Sequence, residues 1–355
     1  MNLSKKRAHL FRICLMFALA SAVLAVAWQT PKRHPLTGRT IASVMGAAGA
    51  DWLDRPERGV EEDPDGALDA IGIPRSATVA DVGAGSGYMT LRMARRVGAG
   101  GKVYANDLQP EMLQLLRENV RKAGLTNIET VLGTTTDPRL PAGQLDLILL
   151  VDVYHEFSEP RQMLQRLRSA LKPGGRLVLL EYRKEDPAIP IREEHKMSVK
   201  EVKTELEVEG FVLSQTLESL PRQHILIFRP ATMKQTMSSV ITTEANAVFN
   251  SVRVEIDRNG MRQIGPANAV EWEQVRLSAL RLAESVNLLL PEEARVRDVE
   301  PDWAKWSAEL KAASMSAVSA AGSGNNDDLM KAAGQIYEAC TSCHRKYASA
   351  LVGKP

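Results

Sequence analysis

Val79-Ala80-Asp81-Val82-Gly83-Ala84-Gly85-Ser86-Gly87 reads as a short apolar strand running straight into a turn with glycine at alternate positions. A helical pattern over 88–97 begins directly after it. Glycines in such a turn allow tight backbone conformations and let a ligand approach the main chain. The G-x-G-x-G spacing is tighter than the G-x-G-x-x-G of dinucleotide cradles. The next acid of interest, Asp107, closes the following strand 20 residues after Gly87, where a carboxylate can accept hydrogen bonds from both hydroxyls of a ribose. A plain helix cap before Pro110 is the simpler role for Asp107, but loop and acid together outweigh it.

The same rhythm extends on both sides of the loop. Apolar strands are expected at 78–82, 102–106, 128–132, 145–151 and 176–181, separated by amphipathic helices at 88–97, 110–123 and 160–171. Strict alternation of this kind implies parallel βαβ units and a doubly wound sheet. A helix over 198–209 ends at Gly210, and strands at 211–217 and 224–228 then form an antiparallel pair at one edge. Upstream, residues 41–66 mix apolar and charged positions and read as a helical extension leading into a helix around 67–71.

These motifs give the stretch from about Trp52 to Pro230 a specific likeness. DVGAGSG at 81–87, Asp107, LDLILLVDVYHE at 145–156 and LKPGGRLVLLE at 171–181 resemble class I S-adenosylmethionine (SAM)-dependent methyltransferases. The fold implied is a Rossmann-like, mostly parallel seven-stranded sheet with an antiparallel edge. The resemblance implies that Asp81, Gly83, Gly85 and Gly87 line the methionine and ribose part of SAM and that Asp107 binds the ribose. Where the family places an Asp beside the adenine, this chain reads Gly133-Thr134-Thr135-Thr136-Asp137, with Thr134 as candidate. The segment 52–58, Trp-Leu-Asp-Arg-Pro-Glu-Arg, is similar to a subgroup of exported methyltransferases. The methyl acceptor is not implied by any of these motifs.

Methyl transfer is mostly alignment of a nucleophile with an activated methyl carbon, helped by a base where the nucleophile carries a proton. Asp152, Tyr154, His155 and Glu156 follow the fourth strand, at the sheet edge where open α/β folds bind ligands. His155 is the expected base, with Asp152 or Tyr154 positioning substrate. A structural histidine capping the next helix is an equally weighted reading of His155. His195 could reach the same edge but reads more simply as a solvated residue.

Past Ala231 no strand pattern is visible, and four stripes at helical spacing follow. They run through Met233, Met237 and Val240, then Trp272 and Leu282, then Trp303 and Leu310, then Leu329, Ile336 and Cys343. Turn-rich breaks at 258–266, 291–301 and 322–327 separate them, so a four-helix bundle is expected with its boundary near Pro230. Cys340-Thr341-Ser342-Cys343-His344 is the C-x-x-C-H pattern by which two thiols and an adjacent imidazole attach c-type haem. A redox disulfide, a partial zinc site or a chance match are the alternatives, and the zinc site lacks further Cys or His nearby. Residues 232–355 resemble the cytochrome c-prime class. That likeness implies one covalent haem c on Cys340 and Cys343, iron ligation by His344, and Met237 as sixth ligand with Met233 as runner-up. Five-coordinate iron, with both methionines as core packing, is the alternative.

The chain has 355 residues, enough for two domains, with 44% hydrophobic and 25% charged residues, a globular balance. A net charge of +2 and the lack of a basic, aromatic-laced patch argue against nucleic acid as a partner. Lys5, Lys6 and Arg7 precede an uncharged run over 13–28 that ends in Ala25-Val26-Ala27, the layout of a secretory signal. The expected organisation is therefore a signal peptide over 1–27, a linker over 28–40, the methyltransferase-like domain over 41–230 and the haem domain over 231–355. A periplasmic location follows, with membrane attachment only if the signal stays uncleaved. Two functions fit: an exported SAM-dependent methyltransferase fused to a c-type cytochrome for electron transfer or redox sensing, with a possible redox partner protein, or an electron-transfer cytochrome whose first domain only binds a ligand or partner.

Overall fold

The computed structural model describes residues 32–258, 260–289 and 301–351. The expected signal segment and most of the 291–301 break lie outside them. Among the described residues, no helix is long and apolar enough to cross a membrane.

One sheet organises the first domain. Its strands are β1 (Thr78–Val82), β2 (Lys102–Asp107), β3 (Ile128–Leu132), β4 (Leu145–Val151), β5 (Leu171–Arg183), β6 (Lys196–Met197), β7 (Phe211–Leu217) and β8 (Gln223–Pro230). Their order is β3-β2-β1-β4-β5-β8-β7, parallel through β5, with β8 and β7 antiparallel at the edge. The expected seven strands become eight, because β6, only two residues long, adds in parallel to the end of β5. Such a pair carries no periodicity for a sequence to show.

The central strands are nearly continuous apolar runs because helices cover both faces. In β4, Ile148 and Leu150 pack with Leu164 and Leu167, while Leu147 and Leu149 pack with Met93 and Val97 on the opposite side. That two-residue alternation is the strand pleat. The covering helices are α1 (Pro64–Ile71), α2 (Tyr88–Val97), α3 (Pro110–Ala123), α4 (Pro160–Ala170) and α5 (Val199–Glu207). Proline opens α1, α3 and α4, and Ser198 and Glu201 form a reciprocal cap on α5. Strand order reverses between β1 and β4, so ligands are expected beyond their carboxyl ends.

The segment expected as a linker is packed down over its described part. Arg33 and Thr40 form a bridge, and Leu36, His34 and Arg39 are buried. Arg39 makes a forked ion pair with Glu205 of α5 at 2.9–3.1 Å. A charge pair of this burial ties the segment to the domain, which short polar composition alone did not reveal.

The C-terminal region begins with a helical stretch of three registers: Met233–Thr236, a π turn at Met237–Ile241, and α6 (Thr242–Ser251). Then α7 (Ala269–Ser285), α8 (Pro301–Ser323) and α9 (Asn326–Leu351) follow. Ile241, Val248, Ala279, Leu282, Leu310, Ala317, Leu329 and Ile336 share one apolar core. Between α6 and α7 lies a hairpin, β9 (Arg253–Asp257) with β10 (Gly260–Ile264), where only a turn-rich break was expected. Its strands escape a burial-based reading because Val254, Ile256 and Met261 are exposed and Arg262 pairs with Glu255 across the ladder at 2.8 Å. The two regions touch: Leu36, Val208 and Val240 cluster with Leu280, and Arg161 of α4 is paired with Glu284 of α7.

Candidate functional site

The glycine turn sits at the carboxyl end of β1. Gly83, Gly85 and Gly87 all have positive φ, at 73°, 53° and 94°. A Cβ on Gly83 would stand 2.4 Å from Val153 Cγ2, and one on Gly85 would stand 2.7 Å from Leu53 Cδ1. At Gly83 a side chain is thus disfavoured by both conformation and space, while at Gly85 the positive φ is the stronger constraint because the Leu53 tip can move. Asp107 leans onto this turn: its Oδ2 accepts from the Gly85 amide and its Oδ1 from the Gln109 amide, each at 2.9 Å. Burial raises its pKa even though backbone donors pull the other way. Asp81 lies beneath the turn, accepts from the Thr90 hydroxyl at 2.5 Å, and is pushed by burial up to about 6.

A cavity of about 600 Å³ opens above β1, β2 and β4. Gly83, Gly85, Asp107, Thr134, Asp152 and His155 line it, as do Met45, Trp52 and Leu53 of the N-terminal extension. Asp81 and Gly87 support the turn without reaching the cavity; Gly87 starts α2 against Leu116. Thr134 closes its loop on Asp137, its hydroxyl accepting from the Asp137 amide at 3.0 Å.

The far wall carries the titratable groups. His155 is buried, with Nδ1 2.6 Å from Glu181 Oε2 and Nε2 3.1 Å from His195 Nδ1. Burial draws the His155 pKa down, but the Glu181 carboxylate outweighs it and the net shift is upward. His195 is lowered by burial and by the neighbouring His155. It was expected to be solvated; instead β6 and the turn Glu193–His195 bring it onto His155. Asp152 holds a positive φ of 52°, which is strained for a non-glycine. Its Oδ2 accepts from Gln223 Nε2 at 2.7 Å, while Oδ1 is buried with no hydrogen-bond partner among the described residues. Burial and the charges of Glu62 and Glu181 push its pKa well up.

Tyr154 departs from the expectation that it positions substrate. Its ring is fully buried and its hydroxyl donates to Glu205 Oε2 at 2.8 Å, beneath Arg39. Turning inward satisfies a phenol that would otherwise be stranded in an apolar core. Glu181 and Glu205 went unnoticed in the sequence. The acid ending the apolar run Leu177-Val178-Leu179-Leu180-Glu181 was the available signal for the first.

In the C-terminal region a smaller cavity of about 200 Å³ is lined by Met237, Phe249, Trp306, Cys340, Cys343 and His344 among others. Cys340 and Cys343 form no disulfide with each other. Burial pushes Cys340 up to about 11 and also raises Cys343. Met237 packs against the core beside Cys340, whereas Met233 is 40% exposed and does not line the cavity.

With this geometry in view, residues 79–175 match a family described as a methyltransferase domain. The ubiquinone/menaquinone biosynthesis C-methyltransferase UbiE of Escherichia fergusonii is 34% identical over 118 residues, 33% of this chain and 47% of that protein. UbiE of Salmonella arizonae matches to the same extent, so the chain spans about half the length of the curated relatives it matches. The crystal structure of a SAM-dependent methyltransferase from Aquifex aeolicus superposes with a TM-score of 0.50 at 31% identity, covering 52% of this chain and 98% of that one. Sheet order, glycine turn and acid at the end of β2 define a Rossmann-like methyltransferase fold. The chain carries a class I SAM-dependent methyltransferase domain.

Proposed function

We propose that this protein transfers the methyl group of SAM to an acceptor bound beside His155, and that its C-terminal region carries one covalent haem c. The observation that carries the first half is the cavity itself, which has the Asp107-bound glycine turn on one wall and the His155–Glu181 pair on the other. SAM supplies an already activated methyl, so the protein's task is alignment. Gly83 and Gly85 leave the main chain open to the methionine portion, Asp107 accepts from ribose hydroxyls, and Thr134 lies towards the adenine side. Asp152 lines the same wall and has a carboxylate oxygen without a hydrogen-bond partner among the described residues, so it is the candidate to position the acceptor. His155, held by Glu181 through Nδ1, presents Nε2 as the site that receives the acceptor's proton. Calorimetric titration with SAM tests this: binding by the wild type that disappears in Asp107→Ala supports it, and no binding by the wild type overturns it.

The second half rests on one cavity that gathers Met237, both thiols and His344. A haem there supplies one-electron chemistry. Cys340 and Cys343 would hold it through thioether bonds, and His344 and Met237 would be the residues that ligate its iron. The π turn at Met237–Ile241 supports this, since such turns accumulate at functional sites. The four helical segments then serve as a cytochrome c-prime-like bundle, for electron transfer or redox sensing with a partner protein. Haem attachment fits an exported, periplasmic chain, as the basic and apolar N-terminus implies. Haem staining of periplasmic and membrane fractions tests location and attachment together. A cytochrome whose first domain only binds a ligand is the second reading, favoured by the separation of SAM synthesis from an exported compartment.

A further inference from the structure

We propose that His155, His195 and Glu156 form a site for one divalent transition-metal ion, of the zinc or ferrous class, on the acceptor wall of the large cavity. The proposal rests on the reading of that wall as the acceptor site and deepens it. Two short helical turns, Tyr154–Glu156 and Glu193–His195, bring the three groups together. His155 Nε2 and His195 Nδ1 are 3.1 Å apart. Two nitrogens 2.0–2.1 Å from a tetrahedral ion stand about 3.3 Å from each other, so the imidazoles need almost no movement. A Glu156 carboxylate oxygen lies with one nitrogen of each imidazole inside a span of 4.8 Å. Two imidazoles and a carboxylate suit zinc or ferrous ions and leave coordination positions open.

A second, independent observation is the support behind the donor. Glu181 Oε2 sits 2.6 Å from His155 Nδ1, so a neutral His155 carries its proton on Nδ1 and has its lone pair on Nε2, the nitrogen that meets His195 Nδ1. Carboxylates backing metal-bound histidines act in this way, fixing the tautomer and raising basicity. All three donors line the cavity, so an acceptor oxygen can fill an open position on the ion. One contact must give way. Arg192 Nη2 lies 3.3 Å from His195 Nε2, and an ion on Nδ1 leaves Nε2 protonated. The Arg192 side chain is 77% exposed, and its 3.5 Å pairing with Glu194 lies near the surface, so it can swing outward at little cost. With the ion in place His155 Nε2 ligates it instead of receiving a proton; the metal lowers the pKa of a bound acceptor hydroxyl, and its proton passes to solvent water in the cavity. The acceptor class this favours is an oxygen donor, a hydroxyl or an enol.

Equilibrium dialysis against Zn²⁺ tests the site on the full chain, with a Cys340→Ser/Cys343→Ser version as control so that thiols contribute nothing. One zinc per chain is expected in both, bound at least tenfold more weakly in His195→Gln and in Glu156→Gln. Absence of stoichiometric zinc, or equal affinity in both single variants and the parent, overturns the proposal. Titrating the same proteins with SAM separates the two readings. Weakened zinc with unchanged SAM binding supports the metal site as distinct from the SAM pocket. A wild type that binds zinc but not SAM overturns methyl transfer while leaving the metal site standing.

Discussion

Glu181 Oε2 lies 2.6 Å from His155 Nδ1, and both side chains are almost wholly removed from solvent. The same carboxylate accepts from the Tyr154 amide through Oε1 at 3.0 Å, so one acid orients both the imidazole and the turn that carries it. Glu181→Ala leaves two buried donors unmatched and is expected to cost about 3–5 kcal/mol, the scale for breaking a buried pair. Glu181→Gln keeps an acceptor oxygen and should cost markedly less. Urea denaturation of the two variants checks the order. SAM affinity of Glu181→Gln should stay within about threefold of wild type, because the hydrogen bonds of Glu181 go to His155 and the Tyr154 amide and not to the glycine turn; equal destabilisation by both variants would count against an orienting role.

Gly83 faces Val153 so closely that an added methyl group would penetrate the valine side chain, at 2.4 Å from Cγ2. Gly83→Ala also forces an L-residue to φ 73°, worth about 1 kcal/mol by itself. The combined effect should be a loss of roughly 2–4 kcal/mol, with SAM binding weakened as the turn shifts. Adding Val153→Ala removes the clash and should recover part of the stability, leaving the φ cost behind. A double variant no more stable than Gly83→Ala alone would show that backbone conformation, not space, sets the requirement. Thermal melts of the two variants decide it.

Such local features are what a sequence displays well. The glycine turn and the strands of the first domain depend on residues within a few positions of one another, Asp107 is marked by its place at the end of the next strand, and strands buried on both faces announce themselves as apolar runs. The His155–His195 contact depends instead on β6, two residues joined to β5 from across a loop, which no periodicity marks. Arg39 and Glu205 are 166 positions apart, and each alone looks like an ordinary surface charge. The β9–β10 hairpin failed to register for the opposite reason: its apolar residues face solvent, so alternation without burial looked like a turn.

Arg39 and Glu205 carry a prediction of their own. Their side chains are 3% and 0% exposed, and Arg39 also donates to the His155 carbonyl at 3.1 Å. Arg39→Ala strands the Glu205 carboxylate with Thr37, His34 and Tyr154 as remaining partners. A cost of about 3–5 kcal/mol is expected. Limited proteolysis should then cut within 32–42 much faster than in wild type. Cleavage at the wild-type rate would mean that the packed segment is held by Leu36 and its neighbours rather than by the ion pair.

Met237 faces the cavity of the C-x-x-C-H residues, while Met233 one turn earlier does not. In the haem-loaded protein the oxidised spectrum should show the far-red band of a Met–iron bond. Met237→Ala should abolish it, and Met233→Ala should leave it in place. A band that persists in Met237→Ala would remove this ligand assignment, and its absence from the wild type would point to five-coordinate iron.

Glu209 lies just after α5, buried where the two regions meet, with its Oε2 accepting from Gln165 Nε2 at 3.1 Å. Burial pushes its pKa up to about 8, against the pull of Arg161. An unfolded glutamate titrates near 4.3, so between roughly pH 4.3 and 8 the folded chain holds a proton that the unfolded chain has lost. Stability from this group is therefore complete below the unfolded value and declines as pH rises through the window, levelling off once the folded pKa is passed. Glu209→Gln has no such proton to lose and can still accept from Gln165. Its melting temperature relative to wild type should accordingly climb from pH 5 to pH 8, by several degrees if the carboxylate stays as buried as it is in the intact fold. Scanning fluorimetry of both proteins at pH 5, 6.5 and 8 measures the difference directly. A difference that does not change with pH would mean that the carboxylate escapes to solvent on ionising, and that the contact between α4 and the start of β7 opens to let it.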